Sequence, residues 1–336
     1  MSVDDLAEFF ATLSERRFRA DQLFQAIHAQ GVVRFEDVTT FPLTLRQKLS
    51  QIAVLGGMTL DSALQSTDGT VKLLMRTAQN ERVESVLIPA DDRMTQCISS
   101  QVGCKMGCTF CLTATMPLRR NLRPSEIVDQ VYHARRYLND SGKKITNVVY
   151  MGMGEPLDNF VGVVKSARLL MHPNGAAFGA RRITVSTSGL APRMQEFLDL
   201  LPVKLALSLN ASDNRTRSAV MPVNRKYDIA EVLAVLESRP WADRQRLTIE
   251  YVMLGGVNDT ELDARRLANL VRKLGITVNL IPFNPFEGAA YRRPDEDRVN
   301  QFARVLVAEH VAVTVRQSRG RDIGAACGML DGVDGT

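Results

Sequence analysis

Gln101-Val102-Gly103-Cys104-Lys105-Met106-Gly107-Cys108-Thr109-Phe110-Cys111 decides how the rest of this chain is read, because it sets three cysteines at spacings of four and three residues. A loop that presents three thiolates so close together suits three corners of an iron–sulfur cube. The fourth iron is then left without a protein ligand, open to something that reacts. A structural zinc site instead wants four ligands, commonly two Cys-x-x-Cys knuckles or cysteines paired with histidines. The chain offers only two further cysteines, Cys97 and Cys327, and its four histidines (His28, His133, His172 and His310) are scattered without HxxH spacing. A disulfide framework does not suit a long chain with five cysteines and no secretory leader. An electron-transfer ferredoxin would bring four cysteines per cluster.

At 336 residues the chain has room for one large domain and a small one. Hydrophobic content of 45% and charged content of 24% are ordinary for a globular protein. No run of about 18 apolar residues marks a membrane span, and Met1-Ser-Val-Asp-Asp-Leu6 lacks the basic-then-apolar order of a signal peptide. A cytoplasmic location is therefore expected, which suits unpaired thiols. A net charge of +5 with a pI near 9.0 permits a polyanionic partner without requiring one.

The first sixty or so residues read as helical. Leu23, Phe24, Ile27 and His28 recur at helical spacing within 20–30, with Gly31 as a stop, and Leu45, Leu49 and Ile52 repeat the pattern after Pro42. Arg16, Arg17, Arg19 and Arg46 are read as a solvated face that also has the charge to touch phosphates. Residues 70–77 and 81–88 form two strand-like runs around Ala78-Gln79-Asn80, a hairpin pattern. In it Glu84 shares a face with Val86 and Ile88, and a carboxylate on an apolar face is either paired or employed. From Cys97 onward β-branched runs (96–100, 145–151, 183–186, 204–209, 247–253, 278–281) alternate with helical patterns such as 125–138, 161–171 and 263–274. Six βα units imply a parallel sheet, either open and doubly wound or an incomplete barrel. The expected organisation is a helical module over 1–66, a hairpin over 67–92 and a catalytic core over 93–336 that ends in a tail bearing Cys327.

In a parallel barrel ligands gather where strands end. Met151-Gly-Met-Gly154-Glu155-Pro156 ends one such strand, with glycine for close backbone approach and a glutamate able to receive an ammonium group. It is not the dinucleotide fingerprint, because Leu157 stands where a third glycine is needed. Ser186-Thr-Ser-Gly189, Ser208-Leu209-Asn210 and Pro282-Phe-Asn284 supply hydroxyls and amides at three more strand ends. Each alone is a cap or turn; together they make a cradle for carboxylate, ribose and adenine.

The three-cysteine loop followed by barrel-like alternation resembles the radical S-adenosylmethionine (SAM) enzymes. Cys97-Ile-Ser-Ser-Gln-Val-Gly-Cys104 upstream and Arg120-Asn-Leu-Arg-Pro-Ser-Glu126 downstream resemble the RlmN-type adenine-C2 RNA methyltransferases of the RlmN/Cfr family, over nearly the whole chain. The resemblance implies a partial (β/α)6 barrel with a small N-terminal helical accessory domain that helps hold RNA. It implies a [4Fe-4S] cluster on Cys104, Cys108 and Cys111, with SAM at the open iron and two SAM consumed per turnover. SAM contacts carry over to Gly154, Glu155, Ser186, Ser208, Leu209, Asn210 and Asn284, although many relatives have histidine where this chain has Asn210. Val83-Glu84-Ser-Val86 matches the position of the proton acceptor, Cys327 the methyl-carrying cysteine, and Cys97 the second thiol, which closes a disulfide with Cys327 to release product. Met329 stands where the family has glutamine.

The implied substrates are an adenosine in the peptidyl-transferase centre of 23S rRNA and the adenosine 3′ of the anticodon in tRNA, each turned out of its stack. A flavodoxin-type reductase is the implied electron source, and a monomer is expected. Basic clusters (119–123, 135–136, 181–182, 225–226, 292–293) have the charge to track phosphates, whereas 6% aromatic content gives no stacking platform. The nearest rival is a Cfr-type enzyme acting at adenine carbon 8. More distant rivals are a non-catalytic RNA-binding protein with a metal knot and a redox carrier.

Overall fold

The computed structural model describes residues 1–240 and 246–332. Three helices open the chain: α1 (Val3–Thr12), α2 (Phe18–His28) and α3 (Leu43–Ile52). No periodic pattern announces the first; Ser2 and Asp5 start it by reciprocal bonds between side chains and backbone. Pro42 sits just outside α3, as its cap. Two of the arginines on this module are tied down internally. Arg19 stacks on Phe18 and Phe41, and Arg46 donates to Glu36 O at 2.7 Å.

A sheet follows. Strands β1 (Met58–Gln65), β2 (Val71–Thr77), β3 (Arg82–Ala90) and β4 (Arg93–Cys97) pair antiparallel in sequence. The expected hairpin is β2 and β3. The expected boundary at residue 66, by contrast, falls at the far end of a strand rather than between modules. β1 hydrogen-bonds along β2, and Asp129 Oδ2 accepts from the Gly57 and Met58 amides just before it. Its burial pattern is mostly exposed, as befits an edge strand, so no apolar alternation announced it.

A two-stranded ribbon, β5 (Gln101–Val102) with β6 (Arg120–Asn121), brackets the cysteine loop. Parallel strands then alternate with helices: α4 (Pro124–Leu138), β7 (Asn147–Tyr150), α5 (Phe160–Met171), β8 (Ile183–Thr187), α6 (Ala191–Leu200), β9 (Lys204–Ser208), α7 (Asn214–Val220), α8 (Ile229–Glu237), β10 (Leu247–Met253), α9 (Glu261–Val271), β11 (Thr277–Pro282), α10 (Glu296–Ala308) and β12 (Val313–Val315). The large sheet runs β1-β2-β3-β4-β7-β8-β9-β10-β11-β12, parallel from β4 onward. Among the described residues β1 and β12 have no partner on their outer sides, so the barrel is partial.

All six expected strand runs are strands. The first begins earlier than expected, and Ile98 and Ser100 continue it as bonds to Val149 O and Met153 O, each 2.9 Å. One hydrophobic core joins the N-terminal helices to the barrel. At their junction Tyr132 of α4 meets His28 Nδ1 at 2.6 Å, and His172 packs on Phe24.

Candidate active site

The C-terminal ends of the parallel strands surround one cavity, as the twist and closure of such a sheet require. Cys104, Cys108 and Cys111 line it together with Cys97 from the end of β4 and Cys327 from the tail. So do Gly154, Glu155, Ser186, Ser208, Asn210 and Asn284 from the successive strand ends. Two expected residues stay outside it. Leu209 is wholly buried and lends only its backbone, donating to Glu250 O and accepting from Arg217 Nε, each at 3.0 Å. Glu84 is also wholly buried, behind the end of the tail.

The cysteine loop is anchored from both sides. Gly103 has φ +78°, and a Cβ there would run into the Pro117 carbonyl. Gln101 Oε1 accepts from Glu155 N at 2.8 Å, while its Nε2 donates to Asn121 Oδ1 and Asp158 Oδ2, each at 2.8 Å. Gly154, with φ +96°, passes so close that an added Cβ would lie 2.5 Å from Gln101 Cβ. The Glu155 carboxylate accepts from Leu157 N at 3.0 Å and Ser188 N at 2.7 Å, yet burial pushes its acidity below that of an ordinary glutamate.

Ser186 and Ser208 hydroxyls lie 3.4 Å apart on neighbouring strands. The Asn210 side chain is already committed: Oδ1 accepts from Val252 N at 2.8 Å, and Nδ2 faces Met221 Sδ at 3.1 Å. Asn284 Nδ2 donates to the carbonyl of Cys327 at 3.1 Å, so it holds the tail as well as lining the cavity.

Burial pushes the Cys97 and Cys104 thiols up to about 12 and Cys108 well above the usual thiol range. The loop cysteines also raise one another, and Cys327 acts in the same sense on Cys97 and Cys111. All five thiols thus share one electrostatic neighbourhood. The tail that delivers Cys327 is pinned despite its glycines and alanines. Asp68 Oδ2 accepts from Gly320 N and Gly328 O accepts from Leu112 N, both at 2.8 Å, and Thr113 Oγ1 donates to Leu330 O at 2.6 Å.

Three residues were missed. Glu250 and Arg316 line the cavity, and Arg316 opposes the rise that burial imposes on Cys97, Cys327 and Glu250. Arg217 is wholly buried and donates to Leu209 O at 3.0 Å, Ser188 O at 2.7 Å and Tyr227 O at 3.1 Å, which binds the ends of β8 and β9 together. Their signals were a charge inside the apolar run 247–253 and an arginine on a short polar helix; only the first is readable without coordinates.

The donor set fits a cluster with SAM. A single ion held at about 2.3 Å from each sulfur would need ligands gathered round one point, and among the described residues no three His, Cys, Asp or Glu side chains gather so. Three thiols around a cavity suit the separate corners of a cube. A family model described as the Radical SAM superfamily matches residues 98–268, and the Ribosomal RNA large subunit methyltransferase N-terminal domain matches residues 1–55. Dual-specificity RNA methyltransferase RlmN of Geotalea uraniireducens is 44% identical over 98% of this chain and 95% of its own length. The protein of that name from Anaeromyxobacter dehalogenans is 46% identical over 97% of this chain and 89% of its own length.

The chain belongs to the RlmN family of radical SAM proteins. A radical SAM methyltransferase from Sphaerobacter thermophilus shares the fold with a TM-score of 0.96 and 42% identity, covering 99% of this chain and 98% of that one. Membership of the RlmN family brings a [4Fe-4S] cluster and the use of SAM. No helix among the described residues is long and apolar enough to cross a membrane.

Proposed function

We propose that this chain methylates carbon 2 of adenosine, in the peptidyl-transferase centre of 23S rRNA and 3′ of the anticodon in tRNA, by way of an S-methylated Cys327. The observation that carries this reading is the meeting of Cys327, Cys97 and the three-cysteine loop in one cavity. It is supported by relatives named as dual-specificity RNA methyltransferases that match almost the whole chain. Cys104, Cys108 and Cys111 would hold the cluster, and Gly154, Glu155, Ser186, Ser208, Asn210 and Asn284 would line the SAM site, while Leu209, the remaining contact the resemblance implies, would support it from behind with its backbone bonded to Glu250 and Arg217. When bound, the cluster and two SAM molecules per turnover supply the methyl group, an electron and a sulfonium bond whose reductive cleavage yields a hydrogen-abstracting radical.

The chain's own residues do the rest. Cys327 carries the one-carbon unit to the base, and Asn284 fixes the backbone from which that sulfur projects. Glu84 accepts the carbon 2 proton of the RNA–protein adduct. The Cys97 thiolate attacks the Cys327 sulfur, and the carbon–sulfur bond breaks with its electron pair passing to the methylene carbon, which takes up a proton to become the methyl group. The Cys97–Cys327 disulfide stays on the protein while the RNA is freed. Helices α1–α3 form the RNA-holding accessory module, whose boundary we place near residue 55 rather than 66, at the end of the matched N-terminal domain. Cytoplasmic residence, a flavodoxin-type reductase and a monomeric state complete the reading.

Methylation at carbon 8 is the alternative, and the RlmN names of the relatives weigh against it. The deciding experiment is anaerobic: reconstituted protein, methyl-labelled SAM, a reductant and undermodified rRNA or tRNA, with the digested nucleosides identified by mass spectrometry. 2-Methyladenosine is expected. 8-Methyladenosine moves the chain to the Cfr branch, and label on ribose or none in RNA overturns both readings.

A further inference from the structure

Glu84 is parked out of the cavity. Its Oε2 accepts from Asp331 N at 2.9 Å and Gly332 N at 3.2 Å, while Oε1 lies 3.0 Å from Lys72 Nζ. Leu330, the residue before these amides, lines the cavity itself. Residues 330–332 are therefore the partition between cavity and carboxylate. Lys72 and Glu84 are 5% and 0% exposed, and they stand on adjacent strands, β2 and β3, with Leu74 opposite Glu84 and Lys72 opposite Val86. The same ammonium lies under the turn that leads into the tail, 3.6 Å from where a Gly324 Cβ would sit.

We infer that Lys72 is the positioning residue for Glu84, keeping this buried carboxylate charged and aimed so that it can accept a proton once residues 330–332 lift away. The inference rests on Glu84 being the base of the proposed reaction. A carboxyl this deeply enclosed is driven toward its neutral form by burial, and a neutral carboxyl accepts no proton. Among the described residues the groups facing it are few. β2 contributes Lys72, which favours the charged form; the tail contributes Asp331, which opposes it; the loop after β7 contributes the uncharged Met153, and Ser99 donates to the Glu84 carbonyl at 2.6 Å. Among the described residues Lys72 is thus the cation that works against enclosure, with the Gly332 N–H acting in the same sense. A pair this buried is a poor choice for stability alone, since an apolar pair of similar volume usually serves as well. Only the carbon 2 proton moves, onto Glu84.

The test uses full-length, cluster-loaded protein and compares Lys72→Met, Lys72→Gln and Lys72→Arg with Glu84→Gln. Lys72→Met and Lys72→Gln should accumulate covalent RNA–protein adduct at neutral pH, with resolution slowed by about tenfold or more for each unit by which the Glu84 carboxyl is raised. They should recover as the pH is made alkaline, while Lys72→Arg keeps the parent profile. In protein without the cluster, isotope-edited infrared spectra should show a protonated Glu84 carboxyl at neutral pH in Lys72→Met and Lys72→Gln only. A parent pH profile in the neutral variants, or a shift in Lys72→Arg as large as theirs, overturns the inference. Normal product release by Glu84→Gln would instead remove Glu84 as the base, a separate failure.

Discussion

Cys327 and Cys97 have different duties, and their substitutions should fail differently. Cys327→Ala is expected to abolish RNA methylation while leaving protein folded. Cys97→Ala should leave protein covalently attached to RNA, seen as a shifted band that nuclease trims but reductant does not release. Free methylated RNA at the parent rate from Cys97→Ala would contradict its role. Gly154→Ala places a Cβ 2.5 Å from Gln101 in a backbone at φ +96°. A loss of about 1–3 kcal/mol in thermal unfolding is expected, with SAM binding by calorimetry weakened beyond detection. The cysteines and Glu84 stood out in the sequence because a charge or thiol pattern is visible wherever it lies. The opposite holds for Asn210, whose amide is spent on Val252 N and Met221, and for Asn284, which grips the tail: partners so far apart in the chain leave no local trace.

The tail shows what elements add. Rich in glycine as it is, the tail is held: Asp68 in the β1–β2 turn accepts from Gly320 N, and Asp322 accepts from Ser66 Oγ at 2.6 Å. Although burial opposes it, the hydrogen bonds given to Asp68 hold its carboxyl down at about 2, below the ordinary 3.8. A carboxylate depressed in the folded state contributes stability that is present above 3.8 and lost as pH falls toward about 2. Tail docking should therefore weaken across that window, read as faster hydrogen exchange in 318–332 relative to the barrel strands. Asp68→Asn should show weakened docking already at neutral pH, with a smaller further change on acidification, carried by Asp322. β1 escaped the sequence reading for a related reason: an edge strand buries little, so its order is borrowed from β2 rather than written in alternation.

At the scale of the molecule, the helical module and the barrel share one core, and His28 sits in the seam against Tyr132. Burial pushes His28 down to about 4 from 6.5, so its neutral form belongs to the folded state. The stability this gives is full above 6.5 and declines as pH falls toward about 4, by about 3 kcal/mol in all. Melting should show that acid slope, and His28→Gln should flatten it; an unchanged slope would place the acid sensitivity elsewhere.

The sequence by itself determined the alternation of parallel strands with helices and the three-cysteine loop, because helix and strand periods and ligand spacing are local properties that survive without coordinates; its resemblance to the radical SAM enzymes chose the partial barrel over an open sheet. Only the tertiary structure decided that Glu84 lies sealed with Lys72 behind the tail, that Arg217 fastens two strand ends by their carbonyls, and that Glu250 and Arg316 face the thiols. Those relations join residues up to 248 positions apart, and burial, which sets their charge, exists only once the chain has closed around them.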